Sequence, residues 1–223
     1  RVLRAVQAVK DEGLAQPVLI GRPEVIENRL LRAGLRIRAG VDFEVVNPLS
    51  DPRYRELWSE YHALMGRQGV TPEMAKQALR SDPTLIGAML LKRGDVDAML
   101  CGVVGRHAQH LRHIADVIGL KPRAHCFAAM NLLLLQRHTL FVCDTYVNED
   151  PDPGLLADIA LMAAEEVRRF GVVPRVALLS HSNFGSVRSA SAGKMGRALE
   201  IITARAPELE VDGEMHGDSA LNE

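Results

Sequence analysis

Apolar and polar residues along the chain follow two different spacings. In some segments the apolar residues recur every three or four positions, which is typical of helices with one buried face. Between these segments lie short, nearly continuous apolar runs, which are typical of buried strands. The first spacing predicts helices over 2–12, from Pro23 to Gly34, from the pairs Asp51-Pro52, Thr71-Pro72 and Asp82-Pro83 onward, through Leu111 to Gly119, from Pro153 to Gly171, and around Met195 to Ile202.

The apolar runs predict strands at 17–21, 43–48, 96–102, 124–135, 139–144, 175–180 and 209–213, with a helix as an open alternative for 124–135. These runs are too continuous to alternate and are separated by helices, so they indicate a mostly parallel sheet covered on both faces. The predicted fold class is therefore α/β. A break in the pattern at 119–124, where glycine, lysine and proline occur together, is the expected boundary between two domains.

Composition narrows the class of protein. The 223 residues are 47% hydrophobic with a formal net charge of −1, so they can form one large or two small cores and have no basic excess for a nucleic-acid partner. No apolar stretch approaches the roughly 20 residues of a membrane span. We expect a cytoplasmic protein with reduced, buried thiols at Cys101, Cys126 and Cys143, because their spacing suits neither zinc nor a disulfide framework. Both chain ends are expected to be cut from a longer protein.

The first candidate site lies in the segment CGVVGRHAQHLRH, after a predicted strand. Gly102 and Gly105 would let the backbone approach a ligand, and the helix that begins near His107 offers free N–H groups to an anion. The glycine spacing matches neither a dinucleotide fingerprint nor a P-loop. Successive steps of three spread His107, His110 and His113 over about 120° of the helix, so solvated histidines are favoured over metal ligands.

The second candidate site is the acidic loop CDTYVNEDPDPG. A calcium loop is conceivable, although the spacing of the acids does not match an EF-hand. The favoured interpretation is a loop that leads to Asp152 as the N-cap of the next helix. Asp144 and Asn148 lie nearest the strand end and are the candidates for ligand binding.

The third candidate site is the segment SHSNFGS, between a predicted strand and a predicted helix. A serine-hydrolase elbow needs glycine two residues before the serine, and Ser180 stands there before Ser182. His181 is poorly aimed as a base for Ser182, since neighbouring side chains of an extended strand point to opposite faces. The hydroxyls, the amide and the open backbone N–H groups instead favour a phosphate or acyl pocket, formed by Ser180, Ser182, Asn183, Phe184, Gly185 and Ser186.

The segment VALLSHSNFGS resembles the Ser-Phe-Ser-Thr-Lys-Gly-Ser segment of phosphate acetyl/butyryl transferases. It is still more similar to the corresponding segment in the C-terminal domain of large bacterial NADP-dependent malic enzymes. Further segments agree with that domain, in order, over essentially the whole chain: GLAQPVLIGRPEVIENRL, VDFEVVNPLSDPRY, GVTPEMAKQAL, DAMLCG, HLRHIADVIGL, DTYVNEDPDP and PELEVDGEMHGDSAL.

The resemblance implies a two-lobed α/β/α architecture with mostly parallel sheets, like that of phosphotransacetylases and of isocitrate and isopropylmalate dehydrogenases. The first lobe would span 1–121 and lack its C-terminal part, and the second would span 122–223. In active transferases a cleft between the lobes binds coenzyme A and acetyl phosphate. Arg112 matches a basic residue of that cleft, and 180–186 matches its phosphate-binding segment.

Two positions of this chain differ from active transferases. Phe184 stands where they carry lysine, and Asn183 stands where they carry threonine. An aromatic ring cannot offset the charge of a phosphate as an ammonium group does. The family's catalytic serine, arginine and aspartate belong to an Asn-Asp-Leu-Ser-Arg-Gly segment that this sequence does not contain, so no catalytic residue is assigned.

The resemblance therefore implies a regulatory domain that senses acetyl-CoA and has no cofactor of its own. Its partner would be the N-terminal catalytic domain of a malic enzyme, which converts malate to pyruvate with NADP and Mg or Mn, in a homo-oligomer of two or more subunits. Two alternatives stay open. One is an active phosphate acetyltransferase, and the other is a structural dimerisation module.

Overall fold

The structure is a computed structural model that describes residues 1–122, 124–136 and 138–221. The chain forms two compact units, Arg1–Gly119 and Leu120–Glu223. Each unit has a hydrophobic core of its own. Among the helices of the described ranges, none combines the length and the apolar character that crossing a bilayer requires.

The first unit is mainly helical. Its elements are α1 (Val2–Asp11), β1 (Val18–Ile20), α2 (Pro23–Ala33), β2 (Glu44–Val46), α3 (Tyr54–Met65), a 3₁₀ helix (Gly66–Gln68), α4 (Pro72–Ser81), α5 (Pro83–Arg93) and α6 (His107–Val117). Strands β1 and β2 are parallel, with Val18 opposite Glu44 and Ile20 opposite Val46. Parallel pairing of short apolar strands is what the sequence pattern predicts.

The interior of the first unit consists of two apolar clusters. The larger one surrounds α5, where residues 84–90 are all buried. A helix that is apolar on every side is stable only when its neighbours cover it all round, and α3, α4 and α6 pack around this one. The smaller cluster joins α1 to α2 through Val6, Ile26 and Leu30.

Two of the three predicted caps in this unit are confirmed. Thr71 Oγ1 accepts a hydrogen bond from Met74 N–H, and Asp82 Oδ1 accepts from the N–H groups of the first turn of α5. The predicted cap at Asp51 is wrong. Its carboxylate binds the backbone N–H and the guanidinium of Arg53, which lie in the turn before α3, so this helix begins at Tyr54.

The second unit contains a hairpin and an α/β layer. Its elements are β3 (Met130–Leu134), β4 (Thr139–Cys143), α7 (Pro153–Arg169), β5 (Arg175–Leu179), α8 (Ala190–Arg205), β6 (Glu210–Met215) and a 3₁₀ helix (Ser219–Leu221). Strands β5 and β6 are parallel and pack against α7 and α8. The core between them contains Ala160, Leu178, Ala198 and Ile202. The small alanine side chains let helix and strand approach closely.

Two strand predictions need correction. Residues 96–102 form no strand, because a strand requires a hydrogen-bonded neighbour and the described residues place none beside this segment. Strand β3 covers only part of 124–135 and runs antiparallel to β4. Only four residues separate the two strands, and a connection that short permits antiparallel pairing alone. The other two strand pairs of the described residues are parallel, so mostly parallel pairing holds.

The cysteines are free thiols, and the expectation of burial is wrong for two of them. Cys101 and Cys143 are exposed, and Cys126 is half-buried. Cys101 follows the unpaired segment 96–100, where Leu100 is fully exposed. Cys143 ends a strand of a two-stranded sheet, which leaves much of the surface of each strand uncovered.

Candidate functional site

The loop between β5 and α8 carries the SHSNFGS segment. Ser180 N–H continues the pairing of the strands by donating to Met215 O at 2.9 Å. At the tip of the loop, Phe184 and Gly185 have left-handed backbones, with φ of 47° and 82°. This conformation is unfavourable for a residue with a Cβ. It is held at Phe184 by a hydrogen bond of 2.8 Å from its N–H to Glu214 O.

A bulge in β6 places Glu214 beneath the loop. Leu178 pairs with Gly213 and Leu179 pairs with Met215, so Glu214 is an extra residue in this strand. In a regular strand, neighbouring side chains point to opposite faces, whereas a bulge re-aims one of them. Glu214 and Met215 are both buried here. The bulge therefore directs an acidic side chain into the interior of the loop.

Gly213 makes this bulge possible. Its φ of 137° is one that side-chain-bearing residues rarely adopt. A Cβ at this position would lie 2.7 Å from Leu178 O, inside van der Waals contact with the backbone of the neighbouring strand. The position of Glu214 therefore depends on a glycine directly before it.

Ser182 and Glu214 form a buried pair. Ser182 is 0% and Glu214 is 8% exposed. Ser182 Oγ donates to Glu214 Oε1 at 2.8 Å, and Gly185 N–H donates to the same oxygen at 2.8 Å. Val187 N–H donates in turn to Ser182 Oγ at 3.0 Å. The hydrogen bonds from Gly185 and Ser182 favour the ionised carboxylate and lower the pKa of Glu214.

A second set of hydrogen bonds closes the loop through Asn183. Its Oδ1 accepts from His216 N–H at 2.7 Å, and its Nδ2 lies 3.2 Å from His216 Nδ1. Asn183 N–H donates to Ser186 Oγ at 3.0 Å. Asn183 and Ser186, which the sequence suggests as ligand contacts, thus form hydrogen bonds within the second unit.

The outward face of the loop is formed by Phe184 and His181. The Phe184 side chain is 62% exposed. His181 Nε2 lies 3.3 Å from Ser189 Oγ, which caps α8. Because His181 contacts Ser189 while Ser182 contacts Glu214, the structure confirms that His181 is poorly aimed as a base for Ser182.

Asp144 and Asn148 form a turn directly after β4. Asp144 accepts hydrogen bonds from Ala129 N–H at 2.9 Å and from Asn148 N–H at 2.7 Å. Asn148 Nδ2 donates to Phe127 O at 2.9 Å and to Asp144 at 2.5 Å. Burial opposes ionisation of Asp144, but the hydrogen bonds from Ala129 and Asn148 outweigh it and lower the pKa of this carboxyl. The two residues tie the acidic loop to the segment before β3, and their role toward a ligand stays a prediction.

The interpretation of the rest of the acidic loop is confirmed at Asp152. Its Oδ1 accepts from Leu155 N–H at 2.8 Å, and helix α7 follows with Pro153 in its first position. The residue therefore acts as the predicted N-cap.

In the first unit, a cavity of about 400 Å³ lies beside the start of α6. Its lining includes Gly102, Gly105 and His107 together with the apolar side chains of Val103, Leu111 and Ile114. Three of the predicted site residues therefore share one cavity. The fourth, Arg112, has a side chain that is 80% exposed, and its guanidinium lies 3.7 Å from Asp116 of the same helix.

The prediction that the histidines of α6 are solvated is wrong for His110 and His113. His110 Nδ1 lies 2.7 Å from Thr84 Oγ1, and His110 Nε2 lies 2.8 Å from Val104 O. His113 Nε2 lies 2.8 Å from Asp82 Oδ2. These two rings are not solvated, because α6 packs on the start of α5, where Thr84 and Asp82 contact them, and because Val104 O of the preceding loop contacts His110. Throughout the described ranges, no group of three or more His, Cys, Asp or Glu residues is arranged to hold a metal ion.

Two residues that shape the SHSNFGS loop are absent from the sequence prediction. Glu214 and His216 lie 32 and 33 residues from the loop residues that they contact. The available signal was the segment EMHGD, which directly follows a predicted strand. The carboxyl ends of neighbouring parallel strands meet at one edge of a sheet, so residues at and just after the end of β6 belong beside residues after β5.

This fold and its loop agree with a known family. The model of the phosphate acetyl/butaryl transferases matches residues 1–223, and the chain belongs to this family. A phosphotransacetylase from Streptococcus pyogenes has a similar structure, with a TM-score of 0.86 and 30% sequence identity over 99% of this chain and 66% of that chain. The predicted phosphotransacetylase-like α/β fold is thereby confirmed.

The chain is also similar to malic enzymes. It is 56% identical to an NADP-dependent malic enzyme of Escherichia coli and 55% identical to an NAD-dependent malic enzyme of Rhizobium meliloti, each over all 223 residues. The chain spans 29% of the length of each of these relatives. The resemblance to the phosphotransacetylase-like domain of malic enzymes is therefore confirmed.

Proposed function

We propose that this chain is a regulatory domain of a malic enzyme, which senses acetyl-CoA and does not itself transfer acetyl groups. The observation that carries the proposal is the exposed ring of Phe184, at the loop position where active transferases carry lysine. The ring offers an acyl group an apolar contact, whereas it cannot neutralise the charge of a phosphate.

The internal hydrogen bonds of the loop support the same proposal. Transfer from an acyl phosphate needs donors and positive charge aimed at the phosphoryl oxygens. The hydroxyl of Ser182 and the N–H of Gly185 both donate to Glu214 instead. No lysine or arginine lies between Ser180 and Ser186 to supply the charge.

The similarity to malic enzymes supports the identity of the regulated reaction, which would be the oxidative decarboxylation of malate to pyruvate. In this proposal NADP and a divalent metal, Mg or Mn, bind to an N-terminal catalytic domain of the same polypeptide. The assembly is a cytoplasmic homo-oligomer. Abundant acetyl-CoA, which is made from pyruvate, then restrains the supply of pyruvate.

Calorimetric titration of the natural full-length protein with acetyl-CoA tests this proposal. We expect saturable binding in the millimolar range or tighter, together with slower malate oxidation at saturation. Phe184→Ala removes an apolar contact of about 1.5 kcal/mol, so acetyl-CoA binding is expected to weaken about tenfold. Phe170→Ala, at another exposed phenylalanine of the second unit, is the matched control. Absence of binding at millimolar acetyl-CoA contradicts the proposal.

An active transferase is the second candidate, favoured by the family match and by the similarity to the Streptococcus phosphotransacetylase. Its reaction would be attack of the coenzyme A thiolate on the acetyl carbon of acetyl phosphate, which forms the thioester and releases phosphate. A coupled assay with acetyl phosphate and coenzyme A separates the candidates. Turnover by the natural protein at a rate typical of enzymes, above about 1 per second, would overturn the regulatory proposal.

A further inference from the structure

The loop 101–106, which leads into α6, has a strained backbone at its centre. Val103 has a φ of 69°, in the left-handed region that a β-branched residue rarely adopts. The side chains of Val103 and Val104 are 83% and 80% exposed. Strain of this kind persists only where surrounding contacts hold the backbone, and it is common in segments that switch between two conformations. The contacts of this loop therefore indicate what keeps it in place.

One hydrogen bond ties the loop to the rest of the first unit. The Nε2–H of His110 donates to Val104 O at 2.8 Å. In the ranges that the structure describes, residues 101–105 take part in no other hydrogen bond. The ring also approaches the loop closely at Gly105, where a Cβ would lie 3.0 Å from His110 Nε2. The position of the loop thus depends on a single side chain of α6.

His110 is itself fixed by the buried helix α5. Thr84 Oγ1 lies 2.7 Å from His110 Nδ1. A carbonyl oxygen only accepts, so Nε2 carries the proton; in the neutral ring Nδ1 is then the acceptor, and the Thr84 hydroxyl donates to it. Thr84 is 5% exposed, which shields this hydrogen bond from water. A chain of two hydrogen bonds therefore runs from α5 through His110 to the loop.

The loop has an apolar surface beside it on which it can close. The lining of the cavity of about 400 Å³ includes Leu111 and Ile114 of α6, together with Cys101 and Val103. Moving the two exposed valines onto this surface removes apolar area from water, which is favourable. It also lets Val103 leave the left-handed region. Both effects favour a closed loop, and the hydrogen bond from His110 opposes them.

We propose that the loop 101–106 is a lid over this cavity, and that the hydrogen bond from His110 to Val104 is the latch that keeps the lid open. Loss of the latch closes the lid: the two valines pack on the apolar surface of α6, and the Cys101 thiol is covered. His110 acts on the cavity through Val104, so it is a positioning residue. The inference does not depend on the proposed function, because it concerns the first unit and its test uses no acetyl-CoA.

Alkylation of Cys101 by iodoacetamide tests the inference in the natural full-length protein, with mass spectrometry of the peptide that contains this residue. His110→Ala removes the latch. Because thiol reactivity depends on exposure, we expect Cys101 to react at least about threefold more slowly in this variant. His110→Gln keeps an N–H donor for Val104 O and an acceptor for Thr84, so its rate should stay within about twofold of the natural one. An unchanged or faster reaction in His110→Ala overturns the inference.

A pair of substitutions at Thr84 tests the other end of the latch. Thr84→Val removes the hydroxyl that fixes the His110 ring and keeps the shape of the side chain, whereas Thr84→Ser keeps the hydroxyl. We expect slower alkylation of Cys101 in Thr84→Val and not in Thr84→Ser. Equal rates in these two variants contradict the inference. If His110→Ala does not fold, this pair decides the inference alone.

His113→Ala is the control for the packing of α6 on α5. It removes a neighbouring ring that contacts Asp82 and forms no hydrogen bond with residues 101–105, so the rate at Cys101 should not change. Slowing equal to that in His110→Ala would show that helix packing, and not the latch, controls the loop. Unfolding exposes a thiol and speeds its reaction, so a slower reaction cannot result from loss of structure. Cys126 of the second unit, measured in the same digest, is the internal reference.

Discussion

Two glycine-containing loops of the molecule, 101–106 and 180–189, each lead into a helix, yet they differ in what lies inside them. The loop before α8 closes on a buried acid, Glu214, which takes hydrogen bonds from its serine and its glycine. The loop before α6 bounds a cavity of about 400 Å³. Similar residue types therefore produce a filled interior in one unit and an open one in the other.

The difference comes from the residues that pack under each loop. Glu214 reaches the second loop from an adjacent strand, far away in sequence, through a bulge. His110 reaches the first loop from the following helix, where its Nε2–H donates to Val104 O and its ring lies against Gly105. A loop's own composition thus does not determine whether it offers space to a ligand.

The largest expected effect comes from Gly213→Ala, which disrupts the bulge of β6 that places Glu214 beneath the loop before α8. The new Cβ would lie 2.7 Å from Leu178 O, and the backbone φ of 137° is unfavourable for alanine. We expect a loss of about 3 kcal/mol in the free energy of unfolding, measured by chemical denaturation. Gly217→Ala, where a Cβ meets open space, is the control and should cost under about 1 kcal/mol. Equal losses would show that the bulge is not the critical feature.

A smaller effect is expected in the loop before α6, where Gly105→Ala can be compared with Gly102→Ala. Both positions have positive φ, but only at Gly105 would a Cβ come within 3.0 Å of His110 Nε2. Gly105→Ala should therefore destabilise the protein by roughly 1 kcal/mol more in thermal or chemical unfolding. In a His110→Ala background this difference should vanish, and a difference that persists would exclude the ring as its cause.

The smallest effect is a pH dependence that distinguishes the filled loop. The pKa of Glu214 is lowered in the folded protein from its ordinary value of 4.5. Its ionised form therefore contributes stability above that value, and the contribution is lost as the pH falls through the lower, folded value. The stability advantage of the natural protein over Glu214→Gln should shrink as the pH falls through and below 4.5 in denaturation measurements. An advantage that stays constant would indicate that packing, not charge, stabilises the loop.

Local signals in the sequence predict most of the fold. Thr71, Asp82 and Asp152 cap helices as their spacing before proline indicates, because a cap depends on residues two or three positions away. Continuous apolar runs correctly locate β1 and β5, which pair in parallel with their neighbours. These features are fixed by short-range chemistry, and the sequence carries them directly.

The remainder of the fold and site depends on contacts between distant residues. An apolar run at 96–102 has the composition of a strand, but pairing is a property of a neighbour that composition does not reveal. The inward direction of Glu214 results from a one-residue change of register at Leu178 and Leu179, which no periodicity shows. The tip of the loop at Phe184 is the part of the site that the sequence locates.

The carboxylate of Asp82 restricts where residues can be inserted into the first unit. Its Oδ1 caps α5, and its Oδ2 contacts Gln109 and His113 of α6 at 3.2 and 2.8 Å. One residue inserted between Gln109 and His113 would rotate the rest of α6 by about 100°. The His113 ring would then no longer face the Asp82 carboxylate. Insertions in the preceding loop leave that pairing intact. Variation in length is therefore expected in the loop and not in the helix that it feeds.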